Sequence, residues 1–104
     1  MKRFEIYMAN LPHGSGLGNN VIILQNEITD NMDSIICAPV MFCKKDDDKN
    51  DTHIQANTKN GRTCIIITEH MTNLDRKKIS GIITELIDKE CQNVKDTISE
   101  LMNI

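Results

Sequence analysis

Three residues of this 104-residue chain carry side chains suited to acid–base chemistry near neutral pH. His13 opens a glycine-rich segment, and Glu69 and His70 are adjacent at the end of an apolar run. Imidazole exchanges protons near pH 7, and a carboxylate can accept a proton or orient an imidazole. If the two segments border one groove, His13, Glu69 and His70 could together run acid–base cleavage. The alternative is that both histidines are ordinary exposed loop residues.

The glycine-rich segment, residues 13–20, is a second candidate for binding chemistry. Backbone N–H groups of such a loop can hold phosphate groups. The spacing of its glycines fits neither a P-loop nor a dinucleotide-binding fingerprint, and no helix follows it. We therefore favour a lid over a groove. Its candidate nucleic-acid contacts are Gly14, Ser15, Gly16, Gly18 and Asn20.

Three consecutive basic residues, Arg76, Lys77 and Lys78, form a third candidate. Their cationic side chains could contact RNA phosphates. An equally weighted alternative is that they form the solvated side of a single helical turn. His53 is interpreted as structural and receives no chemical role.

The cysteines and aspartates do not predict a metal site. The four cysteines match no zinc-ligand spacing, and Cys37 and Cys64 lie in apolar runs, which favours buried, reduced thiols. The aspartates at positions 46–48 lie in a charge run, which indicates a solvated hairpin tip. A cation site there is the weaker alternative, because neighbouring side chains do not converge on one point. No cofactor is expected.

Charge and hydropathy exclude several classes of protein. The net charge is −3 and the pI is about 5.5, which argues against a protein that coats nucleic acid non-specifically. The longest run without a charged residue, 6–26, is interrupted by polar residues, so no membrane span is predicted. Glu5 and Asn10 interrupt the segment after the basic start, so a signal peptide is not expected. We expect a cytoplasmic protein.

The rest of the sequence must position these candidate residues, and its pattern predicts short strands followed by a helix. The length suits one domain, residues 1–104, and the sixteen isoleucines favour strands. Pro39 is expected to end the third strand, and Asn60-Gly61 predicts a hairpin turn. The predicted strands are residues 4–9, 21–24, 34–38, 53–56 and 63–68.

The C-terminal third changes character. Residues 88–102 predict a helix that begins at Asp88. Its apolar face, expected to contact the core, comprises Cys91, Val94, Ile98, Leu101 and Met102. Residues 75–87 are ambiguous, because their apolar period favours a helix whereas the run after Gly81 suits a strand.

Several stretches, in their order along the chain, carry a resemblance to a known family. They are FEIYMANL at 4–11, Gly14-Ser15, VIILQNE at 21–27, THI at 52–54, IIITEH at 65–70 and LDRKKI at 74–79. Together they resemble the MazF/PemK family of toxin endoribonucleases over nearly the whole chain.

The resemblance implies an α+β fold, a small SH3-like barrel of mostly antiparallel strands with a C-terminal helix. It implies a twofold homodimer that cuts single-stranded RNA without metal and is blocked by an antitoxin peptide. It also places one helical turn over residues 74–79 and the last strand over residues 81–86, against the helical period.

The family's catalytic positions are substituted in this sequence. The resemblance places the family's Arg-Pro pair on Asn19-Asn20, its catalytic Thr on Met41, and a further Arg on Thr72, whereas Glu69 persists. Loss of one oxyanion-stabilising group typically costs about 100- to 1000-fold in rate. We therefore expect weak or lost cleavage. The alternative is a catalytically inactive dimeric module of the same fold that binds an antitoxin-like peptide or RNA.

Overall fold

The computed structural model describes residues 1–11, 19–43 and 53–101. The predictions for His13, Gly14, Ser15, Gly16 and Gly18 lie outside these residues, as do those for the charge run and for Met102. The elements are β1 (Glu5–Ala9), β2 (Asn20–Ile23), β3 (Ser34–Cys43), β4 (His53–Asn57), β5 (Thr63–Ile67), β6 (Thr72–Asp75), β7 (Ile79–Glu85) and α1 (Asp88–Leu101). Short 3-10 turns, Thr68–His70 and Arg76–Lys78, flank β6.

The strands form one antiparallel sheet, and this confirms the α+β class. Their order is β4-β5-β3-β2-β1-β7, and β6 also pairs with β3. The two edges of the sheet meet at a single bridge between Thr58 and Leu86, beside a hydrogen bond from Lys59 N to Glu85 O at 2.9 Å. The sheet is therefore not closed into a barrel along the length of its described strands.

Each face of the sheet covers its own core. The first core contains the helix residues Val94 and Ile98, as the apolar face of α1 predicted, packed on Ile6, Ile22, Val40 and Ile66. The second core, on the other face, is built from Ala9, Val21, Ile23, Ile35, Cys37, Leu74 and Ile79. Cys37 and Cys64 are fully buried, which confirms the prediction for these two thiols.

Strand β3 continues through Pro39, so the prediction that this proline ends the strand is wrong. Pro39 pairs with Val21 of β2. Ile36 O accepts from Leu24 N, so the backbone polar groups of Ile36 face β2. These groups alternate in direction along a strand, so those of residue 39 face the opposite edge of β3, where Pro39 has no N–H to donate. That edge is interrupted there, because β5 pairs with β3 from Val40 onward and β6 pairs with residues 34–37. Pro39 therefore costs the sheet no hydrogen bond.

The ambiguous segment forms β6, the Arg76–Lys78 turn and β7. The helix favoured by the apolar period over residues 75–87 is therefore wrong. The strand implied by the resemblance is correct, although it begins two residues earlier than expected. Pairing with β1 makes residues 79–85 a strand rather than a helix. In this strand Ile79 is buried and Ile82 is 55% exposed.

Candidate functional site

Asn19 and Met41, the positions onto which the resemblance places the family's catalytic residues, lie toward the same end of the β2–β3 pair. The β2–β3 register pairs Val21 with Pro39, and Asn19 and Met41 each lie two residues beyond this last pair. Residues directly opposite in an antiparallel pair project on the same face. Met41 is 42% exposed and Asn19 is exposed, so both side chains are accessible from solvent.

A row of paired residues runs from Met41 across two more strands. Met41 pairs with Ile65 of β5, and Ile65 pairs with Gln55 of β4. Strands lie about 4.8 Å apart, so Met41 and Gln55 are about 10 Å from each other across the sheet. The candidate face thus presents Met41 and Gln55 in one row, and Asn19 precedes β2 at the same end of the β2–β3 pair.

His53 belongs to the next row of the same face. It lies two residues before Gln55 in β4 and pairs with Ile67, the last residue of β5. The 3-10 turn Thr68–His70 follows β5 directly, and Glu69 is its middle residue. His53 Nε2 lies 3.0 Å from Glu69 Oε1. The side chain of His53 is 15% exposed and that of Glu69 is 44% exposed.

This contact changes which histidine accompanies Glu69. Glu69 meets His53, to which the sequence interpretation gave no chemistry. His70 is the exposed last residue of the same turn, and its role stays a prediction. The hairpin signal at Asn60-Gly61 brings β4 beside β5, but a two-residue turn there would pair His53 with Thr68, whereas the observed hairpin pairs it with Ile67.

The two rows of this face are electrically neutral apart from the His53–Glu69 pair. The paired residues are Met41, Ile65 and Gln55 in one row and Ile67 and His53 in the next, with Asn19 and the Val21–Pro39 pair beside them; Val21, Pro39, Ile65 and Ile67 are buried. Neither row contains Lys or Arg. A reaction that develops negative charge on this face receives no counter-charge from these residues.

The basic turn divides into two environments. Arg76 is bound within the protein, because its Nη1 donates to Thr29 O at 2.9 Å and to Met32 O at 3.3 Å. The turn itself begins at Asp75, whose carboxylate accepts from Lys77 N at 2.9 Å. Both basic residues border an open depression of about 520 Å³ that is lined by Asp30, Met32, Asp33, Asp75, Arg76 and Lys77. Three carboxylates against two cations disfavour a phosphate there.

Lys78 lies instead beside the stem of the glycine-rich segment. Its carbonyl accepts from Asn10 N at 2.9 Å, and the preceding residue, Ala9, donates its N–H to Asn19 O at 2.7 Å. The structure therefore brings Lys78 and Asn19 to the same end of β1. Of the three basic residues, Lys78 is the one whose backbone lies at the same end of β1 as Asn19.

No group of three or more His, Cys, Asp and Glu side chains in residues 1–11, 19–43 and 53–101 is arranged to hold a metal ion. Within the same residues, no helix has the length and apolar character needed to cross a membrane.

Comparison with known families gives one match. The model of a family described as a PemK-like, MazF-like toxin of type II toxin-antitoxin systems matches residues 2–102. No curated protein matches the chain.

Proposed function

This chain belongs to the PemK-like, MazF-like family of type II toxins, and from that premise we propose that it is a weak endoribonuclease of single-stranded RNA. The observation that carries the weakness is that Asn19 and Met41, just beyond the paired Val21 and Pro39, stand where the family has Arg and Thr and supply no cation. We further propose the family's homodimer, its antitoxin peptide as partner, and a cytoplasmic site of action.

The chemistry needs no metal ion. The RNA 2′-oxygen bonds to the adjacent phosphorus, and Glu69 takes the 2′-hydroxyl proton. The bond from phosphorus to the 5′-oxygen then breaks, and that oxygen takes a proton from water. The products are a 2′,3′-cyclic phosphate and a free 5′-hydroxyl.

The difficult part of this reaction is the charge of the transition state. The phosphorane gains a negative charge. A group that stabilises this oxyanion normally raises the rate by about 100- to 1000-fold. Asn19 is neutral and cannot present the charged fork of an arginine, and Met41 has no donor. Slow cleavage follows from these two side chains while the rest of the face can still hold RNA.

The test restores both groups. We expect Asn19→Arg with Met41→Thr to raise cleavage of a single-stranded RNA by about 100-fold or more, as mapped by RNA ends and by the cyclic phosphate. The matched control is Asn73→Arg with Met8→Thr, which makes the same two changes at exposed strand positions of β6 and β1. An equal gain in the control, or no gain in the restored variant, contradicts the proposed site.

A binding module without cleavage is the second candidate, and the neutral rows favour it. It predicts that wild-type protein binds single-stranded RNA or an antitoxin peptide and forms no cyclic phosphate even at long incubation. The proposed dimer has a separate test. Sedimentation that shows only an 11.8 kDa species at micromolar concentration contradicts it.

A further inference from the structure

We infer that His53 is a positioning residue that holds the carboxylate of Glu69 over the face containing Asn19 and Met41. The inference rests on the proposed function, in which Glu69 takes the 2′-hydroxyl proton. His53 touches Glu69 and does not itself receive the proton from RNA.

The backbone gives His53 a fixed place and Glu69 an adjustable one. His53 is the first residue of β4 and is held in the sheet opposite Ile67. Glu69 is the middle residue of a three-residue turn, and its side chain is 44% exposed. An exposed glutamate in a short turn has several accessible rotamers, and only some of them direct the carboxylate over β4 and β5.

The contact selects one of those rotamers. His53 Nε2 approaches Glu69 Oε1 at 3.0 Å, a distance at which the imidazole N–H donates to a carboxylate oxygen. The ring is only 15% exposed, so water competes less with this hydrogen bond than it would at a fully exposed donor. A general base must lie within hydrogen-bond reach of the proton it takes, so a fixed carboxylate reacts faster than a mobile one.

The face that receives the carboxylate also carries the substituted catalytic positions. His53 lies one row from Gln55, and Gln55 is in the row of Met41. The row spacing along a strand is about 6.6 Å, and Met41 and Gln55 are about 10 Å apart across the sheet, so His53 lies about 12 Å from Met41. An RNA strand that crosses the face between Met41 and the His53–Glu69 pair would contact both.

The experiment is a double-mutant cycle in the Asn19→Arg, Met41→Thr background, where cleavage is measurable. We expect His53→Leu to lower kcat by about 10- to 100-fold with KM and RNA affinity unchanged. His53→Gln, whose side-chain amide can donate to Glu69, should stay within about 3-fold of its background. Glu69→Gln should lower kcat by about 100-fold or more, and adding His53→Leu to it should cause no further loss.

A spectroscopic measurement on wild-type protein supports the cycle independently of activity. The nitrogen resonances of His53 should show protonation at Nε2, and Glu69→Gln should shift them. Gln92→Leu is the matched control, because it removes an exposed side-chain hydrogen bond, to Asp96 on α1, far along the chain from the site. It should leave kcat within about 2-fold, as a surface substitution does.

Different outcomes overturn different statements. Additive losses from His53→Leu and Glu69→Gln, an unchanged kcat in His53→Leu, or a His53→Gln variant as slow as His53→Leu each overturn the positioning role alone. If the restored background binds RNA and still forms no cyclic phosphate, the proposed function fails and the role of His53 fails with it. Thermal denaturation of every variant shows whether a loss of activity comes from unfolding. If His53→Leu unfolds, His53→Gln takes its place in the cycle.

Discussion

The backbone N–H of Asn10 donates to the carbonyl of Lys78 at 2.9 Å, and this bond ties the end of β1 to the last residue of the Arg76–Lys78 turn. Ala9, one residue earlier, donates to Asn19 O at 2.7 Å. One short stretch of backbone thus connects the basic turn with the stem of the glycine-rich segment. Lys77 and Lys78, although adjacent in the sequence, therefore have different surroundings.

Lys78→Gln should therefore weaken RNA binding more than Lys77→Gln does. Lys78 lies beside the candidate face, whereas Lys77 borders the depression that contains three aspartates. Loss of one phosphate contact should reduce the slope of log affinity against log salt concentration by about 0.7 for single-stranded RNA. Fluorescence anisotropy at several salt concentrations measures that slope. Lys95→Gln, at an exposed position of α1, is the control and should leave the slope unchanged.

An equal slope change in Lys77→Gln and Lys78→Gln would mean that the turn binds RNA as a unit. The division of the basic turn described above would then be wrong. No change in either variant would place the phosphate contacts elsewhere on the protein.

Phe4 should tolerate glycine better than alanine. Its φ of 71° lies in the left-handed region, and its ring is buried in the first core with 6% exposure. Truncation of a buried Phe costs about 3–5 kcal/mol in the free energy of unfolding. Alanine keeps the backbone strain and glycine removes it, so Phe4→Gly should be more stable than Phe4→Ala by about 1 kcal/mol. Urea denaturation measures the difference.

Phe42 provides the matched comparison for Phe4. It lies inside the extended strand β3, where glycine carries its usual entropic penalty. We expect Phe42→Ala to be more stable than Phe42→Gly, the opposite order. The same order at both positions would show that the φ of Phe4 contributes no strain.

Stability should fall as the pH rises above about 9. Burial raises the pKa of Cys37 to about 11 and that of Cys64 to about 12, from the ordinary thiol value of 9.0. Both thiols are neutral when buried, so above pH 9 the unfolded chain loses these protons first and the folded chain retains them. The unfolded state then binds fewer protons, and the free energy of unfolding decreases with pH by at most about 1.4 kcal/mol per pH unit for each thiol.

The stabilising contribution of the two thiols is fully present below pH 9 and is lost toward pH 11–12, as their folded-state pKa values are reached. Urea denaturation from pH 7 to 10.5 measures the slope. Cys37→Ala and Cys64→Ala should each flatten it even though each lowers the stability at pH 7. A slope that neither substitution changes would assign the alkaline loss to other groups. Tyr7 is the first of these, because burial and its bond to Glu5 raise its pKa to about 12.

The sequence by itself determined the local elements and the family. β-branched runs predicted β2, the first half of β3 and β5, and Asn60-Gly61 predicted a hairpin in which Gly61 has a φ of +81°. The apolar period of α1 predicted that Val94 and Ile98 are buried. These features depend on residues close together in the chain, where strand, turn and helix preferences act directly. The ordered stretches of resemblance likewise predicted the family and β7.

Only the tertiary structure decided which side chains meet. The period over residues 75–87 suited a helix, and pairing with β1 made it a strand. Pro39 continues β3 because β5 and β6 leave a gap at that edge. His53 contacts Glu69 across 16 residues of sequence because β4 and β5 pair in one particular register. The physical reason is that edges, gaps and registers are properties of how strands pair across the sheet, and no residue period within one segment specifies its partner.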